Sequence, residues 1–134
     1  SNVSERALRE IYLKGFEIAV KKSQPKTVMS SYNMLNHIYT ANRHDLLTDI
    51  LRSEWGFEGL VMTDWGSTNE KAGRPEKAAP SGNDLIMPGS DYDRECILKA
   101  IKNGEMTPEV VRRSACRVLR MMLNANTPVL IKEE

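Results

Sequence analysis

Apolar residues follow two alternating periods along the chain. Three-and-four spacing predicts amphipathic helices over 4–24, 42–55 and 92–102, and a further helix from 107 onward. Continuous apolar or β-branched runs over 27–32, 59–62 and 84–87 predict short buried strands between the helices. The stretches 33–41 and 66–82 lack a clean period, which predicts a polar loop and a long loop with room for one short helix.

Strands that alternate with helices and are too apolar to face water indicate a parallel sheet covered by helices. The expected fold class is therefore α/β, with about three parallel strands and two C-terminal helices. An eight-stranded barrel typically needs ~250 residues, whereas this chain has 134. The pattern thus predicts part of a larger sheet.

Local signals predict where helices end and which side chains they bury. Asn42 is the expected N-cap of the second helix, with Asp45 three residues later as its capping-box partner. Gly56 is the expected stop. The predicted buried faces comprise Leu8, Ile11, Tyr12, Gly15, Phe16 and Ala19, then Leu46, Leu47, Ile50, Leu51 and Trp55, then Ile97, Leu98 and Ile101, and finally Val110, Val111, Ser114, Ala115, Val118, Leu119 and Met122.

Composition narrows the classes of partner. The chain is 40% hydrophobic and 28% charged with a net charge of +1, so no basic excess indicates nucleic-acid binding. No apolar stretch approaches the ~20 residues of a membrane-spanning helix. Cys96 and Cys116 fall in helical patterns and are interpreted as small buried hydrophobes. His37 and His44 lack ligand spacing, so no metal site is expected.

Asp64 is the leading candidate for chemistry. It follows the apolar run 59–62 and is itself followed by Trp65 and Gly66, where the chain must turn. In α/β barrels the carboxyl edge of the sheet carries catalytic groups. An aromatic face beside a carboxylate also fits a sugar site, because such faces pack on the apolar surfaces of sugars. The alternative is an aspartate that stabilises the next turn.

Four blocks in order resemble glycoside hydrolase family 3, the family of many β-glucosidases and β-xylosidases. They are VSERALREIYLKGFEIA at 3–19, VMSSYNMLN at 28–36, LLTDILRSEWGFEGLVMTDWG at 46–66 and GNDLIMPG at 82–89. The resemblance extends to about Leu123 and implies the C-terminal half of the family's barrel domain, a partial (β/α)8 TIM barrel. The combination of the Ser-Tyr-Asn block with Gly-Phe-Glu-Gly and Asp-Trp-Gly is highly specific, whereas any one block alone is only indicative.

The resemblance implies a retaining mechanism in which Asp64 attacks the anomeric carbon and a covalent glycosyl-enzyme forms. A second carboxyl group ~5–5.5 Å away protonates the leaving oxygen and later activates water, so no cofactor is needed. Tyr32 matches a tyrosine beside the nucleophile in the subsite of the cleaved sugar, Trp65 would line the neighbouring subsite, and Met29 would wall the pocket. Without the family, Tyr32 is interpreted as a core aromatic and Trp65 equally well as packing under a loop.

Other polar residues are interpreted as structural. Asn33 and Asn36 are expected to form turns, Asp84 to bond backbone at the start of a strand, and Glu70 and Glu76 to be solvated.

This sequence also departs from the family pattern. The family's sugar-holding Arg and Lys-His pair belong to the first half of the barrel, and its acid/base usually belongs to a later domain. His37 stands where the family commonly has glycine.

The leading hypothesis is a fragment of a retaining β-glycoside hydrolase that acts on a β-linked glucoside or xyloside and is inactive in isolation. The alternative is a stand-alone, non-catalytic half-barrel that binds sugar or a protein partner. Residues 1–2 are interpreted as a tag remnant, 3–124 as the half-barrel and 125–134 as a tail. Uncovered strand edges and helix faces predict a homo-oligomer.

Overall fold

A computed structural model describes residues 2–125, so most of the predicted tail, residues 126–134, lies outside the described residues. The elements in chain order are α1 (Glu5–Ala7), a π-helical segment (Leu8–Tyr12), α2 (Lys14–Ser23), β1 (Thr27–Met29), β2 (Met34–Leu35), β3 (Ile38–Tyr39), a 3₁₀ turn (Thr40–Asn42), a π-helix (Asp45–Glu54), β4 (Leu60–Met62), α3 (Pro75–Ser81), α4 (Asp91–Lys102) and α5 (Pro108–Asn124). Helices at the predicted places confirm the α/β class, and α3 is the short helix for which the long loop had room.

The central strands are parallel, as predicted. β1 pairs with β4 in the register Thr27↔Leu60, Val28↔Val61 and Met29↔Met62. The expected third strand at 84–87 is reduced to one parallel bridge between Met62 and Leu85. The reason is that the amides of Asp84 and Leu85 both donate to the carbonyl of Val61, at 2.7 and 3.2 Å, so the ladder does not continue regularly.

The main core lies between the sheet and the helices that cover it. The π-helix contributes Leu47, Ile50 and Leu51, and Trp55 follows at its end, where Gly56 has a φ of +72° as expected for the stop. Val20 from α2 and Val61 from β4 complete the cluster with Phe57. A second, smaller cluster joins α3 to α4 and the loop after it through Ala79, Ala100 and Met106.

The predicted cap of the π-helix is wrong. The side chain of Asn42 instead binds the backbone of Arg74, accepting from its amide at 2.7 Å and donating to its carbonyl at 2.9 Å. The helix begins at Asp45 without a side-chain cap, and Asp45 pairs with Arg43. The amide of Asn42 thus holds a loop 32 residues away, a partner that local spacing does not reveal.

Three of the four predicted buried faces are partly exposed. In the N-terminal helices Leu8 is buried, but Ile11 and Phe16 are 70% and 64% exposed. In α5 Ser114 is buried, whereas Leu119 and Met122 are 58% and 66% exposed. The other residues predicted to be buried but found exposed are Tyr12, Gly15, Ala19, Leu98, Val111, Ala115 and Cys116, and Cys96 is half-buried. These residues have the predicted helical spacing, but the described chain supplies no neighbour to cover them.

None of the helices within residues 2–125 is long and apolar enough to cross a membrane.

The predicted polar loop at 33–41 contains a hairpin. β2 and β3 pair antiparallel through Met34↔Tyr39 and Leu35↔Ile38, with Asn36 and His37 as the two-residue connection. Both connecting residues have positive φ, +50° for Asn36 and +67° for His37. This is the backbone of a type I′ turn, for which Asn-Gly is the favoured pair.

Replacing His37 by glycine is expected to stabilise the chain. A left-handed backbone costs a residue with a Cβ roughly 1–2 kcal/mol, which exceeds the entropy that a glycine adds to the unfolded chain. We expect a gain in the free energy of unfolding of about 0.5–1 kcal/mol, measured by urea denaturation. Replacing Gly56 (φ +72°) by alanine is the converse control and should destabilise the chain; a loss of stability in His37→Gly would contradict the prediction.

Candidate active site

The carboxyl ends of β1 and β4 lie side by side and carry the candidate residues. Met29 and Met62 are register partners at these ends, and the amide of Ser30 extends the ladder by donating to the carbonyl of Met62 at 2.9 Å. Neighbouring strands are ~4.8 Å apart. Asp64 follows β4 by two residues and Tyr32 follows β1 by three. The topology therefore brings both to one edge of the sheet.

Asp64 is only partly buried, and its carboxylate is held close to its own backbone. Its Oδ1 accepts a hydrogen bond from the amide of Trp65 at 2.7 Å. Its carbonyl accepts from the amide of Ser67 at 3.1 Å, which closes a turn. Asp64 thus stabilises the turn that follows it, as the alternative interpretation expects. The hydrogen bond from the Trp65 amide also fixes the direction of its carboxylate at the sheet edge.

The turn after Asp64 is fastened to the segment beyond the sheet. Gly66, with a φ of +69°, donates from its amide to the carbonyl of Met87 at 2.7 Å. The amide of Met87 donates to Oγ1 of Thr63 at 2.9 Å, and Thr63 is only 1% exposed. Two hydrogen bonds to one residue therefore bracket Asp64, one on each side.

Three large side chains at this edge are open to solvent. Met29 is 56% exposed, Tyr32 52% and Trp65 63%. Neither aromatic is packed in the core of the described chain. Tyr32 is therefore not a core aromatic here, and Trp65 is not buried under a loop. An indole, a phenol and a thioether are thus exposed at the sheet edge that also carries Asp64.

Asn83 is a buried residue that stabilises this edge of the sheet, a role that the sequence analysis does not predict. It is 1% exposed and accepts a hydrogen bond from Oγ of Ser30 at 2.9 Å. Its amide group donates to the carbonyls of Ala41 and Ala78 at 2.7 and 3.1 Å. It thus ties the end of β1 to α3 and to the 3₁₀ turn. The available signal is a polar residue just before the predicted strand at 84–87, in a block that carries the family resemblance.

The structural interpretation of Asp84 is confirmed. Its buried carboxylate accepts from the amide of Val61 at 3.0 Å and pairs with Arg52 at 2.6 Å and Arg117 at 2.9 Å. Burial lowers the pKa of the Arg52 guanidinium, and the charge of Asp84 opposes that shift. Arg52 also donates to the carbonyl of Gly59 at 3.0 Å, which places this ion-pair cluster toward the amino end of β4.

The other polar residues considered in the sequence analysis form turns, pair with a neighbour or are exposed to solvent. Asn33 accepts from Ser31 at 2.6 Å and Asn36 forms the hairpin turn, as expected of turn formers. Glu76, predicted to be solvated, is instead 13% exposed and pairs with Arg74 at 2.8 Å, because it lies in the first turn of α3. The solvated group comprises Glu70, His37 and His44, all exposed. Within residues 2–125 no three His, Cys, Asp or Glu side chains are grouped to hold a metal.

Comparisons with known proteins agree on one family. Residues 1–121 match the family model described as the glycosyl hydrolase family 3 N-terminal domain. A β-glucosidase of Rhizobium radiobacter is 49% identical over 123 residues, which is 91% of this chain and 14% of that protein. An exo-α-(1→6)-L-arabinopyranosidase of Bifidobacterium breve is 46% identical over 115 residues, 86% of this chain and 14% of the relative.

Solved structures give the same result. β-Glucosidase 3B from Thermotoga neapolitana, solved in complex with glucose, is 47% identical with a TM-score of 0.81, and the match covers 92% of this chain and 18% of that one. The chain therefore spans about a seventh of the length of the curated relatives it matches. Since the family model covers nearly all of the chain, and relatives above 40% identity align over most of it, this chain belongs to glycosyl hydrolase family 3.

Proposed function

We propose that this chain forms the nucleophile side of the active site of a retaining, β-glucosidase-like glycoside hydrolase, with Asp64 as the nucleophile. The observation that carries the proposal is the placement of the Asp64 carboxylate at the carboxyl end of a parallel strand, between exposed Trp65 and the strand that leads to Tyr32. Family membership supports the class of reaction.

The reaction proceeds in two displacements. A carboxylate oxygen of Asp64 bonds to the anomeric carbon as the glycosidic C–O bond breaks, and an acid protonates the departing oxygen. Water, deprotonated by the same group in its basic form, then attacks the anomeric carbon and releases Asp64. The hydrogen bond from the Trp65 amide to Oδ1 keeps the carboxylate aimed while the sugar charge develops.

The exposed side chains divide between two sugars. Met29 is the last residue of β1 and Tyr32 follows that strand. Both border the sugar that is released from the substrate, where the phenol can stabilise positive charge as the sugar ring flattens. Trp65 follows the nucleophile and offers its face to the neighbouring sugar. The substrate is proposed to be a β-linked glucoside or xyloside.

The rest of the site is proposed to come from sequence outside this chain. The two parallel strands and the Met62–Leu85 bridge fit part of a (β/α)8 barrel, whose other strands would supply the sugar-holding basic residues. The acid/base would come from another part of the protein. With half of the electrostatic environment missing, the isolated chain is expected to be inactive.

Covalent labelling of the protein that contains this chain in its full gene context tests the proposal. A 2-deoxy-2-fluoro-β-glucoside with a dinitrophenolate leaving group should release one equivalent of dinitrophenol and leave the sugar on the peptide that carries Asp64. Fluorine slows both displacements, and the good leaving group restores only the first. A label on another carboxylate would refute the assignment. Saturable binding of glucose by calorimetry without turnover or label would favour the non-catalytic alternative.

We also propose that the isolated chain associates with a second copy through its uncovered apolar faces. Ile11, Tyr12 and Phe16 form one such face, and Leu119 with Met122 forms another. Contiguous apolar surface of this kind drives association. Light scattering should give a mass of at least two chains, and Phe16→Lys should lower it; a monodisperse monomer of the unchanged chain would contradict the proposal.

A further inference from the structure

A buried carboxylate that the proposed chemistry does not use lies behind the loop that follows the nucleophile. Asp93, in the first turn of α4, is 6% exposed. Its Oδ1 accepts from Oγ1 of Thr68 at 2.8 Å and its Oδ2 from Oγ of Ser90 at 2.6 Å. Within residues 2–125 the carboxylate of Asp93 thus has two hydroxyl groups as its side-chain partners and no ion pair.

Asp93 is rigidly placed by the helix that carries it. Ser90 is the N-cap of α4, and its Oγ accepts from the amide of Asp93 at 3.2 Å while donating to the Asp93 carboxylate. α4 is anchored by Ala100, which is 3% exposed and packs in the second core cluster. The carboxylate is therefore fixed to the body of the chain, with one oxygen directed at the loop.

Thr68 belongs to a loop with several internal hydrogen bonds, whose far end is held by Tyr39 through the carbonyl of Lys71 and by Asn42 through the backbone of Arg74. The amide of Gly73 donates to the carbonyl of Ser67 at 3.0 Å, and the amide of Asn69 donates to the carbonyl of Gly73 at 3.1 Å. The side chain of Asn69 donates back to the carbonyl of Gly66 at 2.9 Å. The loop thus behaves as one unit, and the Thr68–Asp93 bond is its side-chain attachment to α4.

Trp65 stands at the base of that unit. It is 63% exposed, with its amide bonded to the Asp64 carboxylate, so its indole receives little support from packing. Its position is set by the residues on either side, β4 before it and the loop from Gly66 to Thr68 after it. Gly66 is also held by the carbonyl of Met87 at 2.7 Å, so a shift of the Thr68 anchor reaches the indole through the turn that the Ser67 amide closes on the carbonyl of Asp64 at 3.1 Å.

We infer that Asp93, acting through Thr68, is a positioning residue that fixes Trp65 for the sugar next to the cleaved bond. Asp93 therefore affects how tightly the leaving sugar is bound, and it does not contact the reacting atoms. This inference rests on the proposed function. It goes beyond it by predicting that the loop anchor affects substrates with a second sugar ring and spares substrates without one.

The test compares two substrates of the full-length protein. A β-linked glucose disaccharide places its second ring at Trp65, whereas β-glucosyl fluoride has no second ring. Thr68→Val keeps the shape of the side chain but removes its donor, and should lower kcat/KM for the disaccharide about tenfold, mainly through KM, while the fluoride changes less than about twofold. Thr68→Ser keeps the hydroxyl group and should restore the unmodified values.

Two further variants show whether the effect passes through the indole. Thr68→Val should cause no further loss in a Trp65→Ala background, because coupled residues are non-additive. Asp93→Ala should reproduce Thr68→Val, whereas Asp91→Ala, a matched change at a carboxylate that is 87% exposed in the same turn, should have no effect on either substrate.

The outcomes separate this inference from the proposed function. Equal losses on both substrates, additive losses with Trp65→Ala, or an unchanged Thr68→Val enzyme would overturn the positioning role while leaving Asp64 as the nucleophile. If the unmodified protein hydrolyses neither these two substrates nor the corresponding xylose disaccharide and β-xylosyl fluoride, the proposed function itself is wrong and the inference fails with it.

Discussion

Replacing Asp64 by asparagine is expected to lower kcat for β-glucoside hydrolysis by the full-length protein by on the order of a thousandfold or more. An amide has no charge with which to form the glycosyl-enzyme or stabilise the developing positive charge on the ring. The fold should be unaffected, because the asparagine carbonyl can accept the same hydrogen bond from the Trp65 amide. Initial rates on an aryl β-glucoside, with the thermal midpoint measured in parallel, check both parts.

A matched control for this change is Asp49→Asn, at a carboxylate that is 59% exposed and faces His44. It should retain full activity. Activity in Asp64→Asn within tenfold of the unmodified protein, with an intact fold, would remove Asp64 from the role of nucleophile. Loss of activity together with a large fall in the thermal midpoint would instead point to the turn-stabilising role of its side chain.

Replacing Asp84 by alanine is expected to cost about 3–5 kcal/mol of unfolding free energy, the usual effect of breaking a buried ion pair. Domains commonly have only ~5–15 kcal/mol in total, so much of the chain's stability would be lost. The change leaves Arg52 and Arg117 without their shared anion and Val61 without an acceptor for its amide. Arg52 is least able to adapt, since its side chain is 9% exposed and its Nε is already buried without a partner. Urea denaturation followed by circular dichroism measures the loss.

Two variants separate the uncompensated charge from the lost packing. Arg52→Met in the Asp84→Ala background should recover part of the stability, because it removes the stranded cation. Asp91→Ala, at an exposed carboxylate paired with Arg94, should cost less than about 1 kcal/mol. A loss of similar size in Asp84→Ala and Asp91→Ala would show that the cluster contributes little.

The sequence predicted those features that depend on neighbouring residues. The apolar run before Asp64 predicted a buried strand, and the three-and-four spacing around Leu47 and Ile50 predicted the helix that covers it. Asp84 was correctly interpreted as structural. These signals are local, and the hydrophobic effect that they report acts on the same residues in the folded chain.

The errors involve partners that are distant in sequence. Asn42 has the spacing of a helix cap but binds Arg74. Asn83 and Asp93 owe their roles to partners at least 25 positions away, namely Ser30, Ala41 and Thr68. The exposed Phe16 and Met122 show a different limit. Helical periodicity identifies a face that is suited to burial, and it does not identify which part of a protein covers that face.

The position of the Asp84 ion pairs has a consequence for how this domain tolerates mutation. They contact the backbone of Gly59, just before β4, and of Val61 within it, whereas Asp64 and Trp65 lie beyond its carboxyl end. Substitutions near Arg52 should change how much folded protein a cell accumulates at nearly constant specific activity. Substitutions around Trp65 should change turnover or substrate preference at nearly constant abundance. In a library of variants measured separately for abundance and for catalysis, the two effects should therefore map to opposite ends of β4.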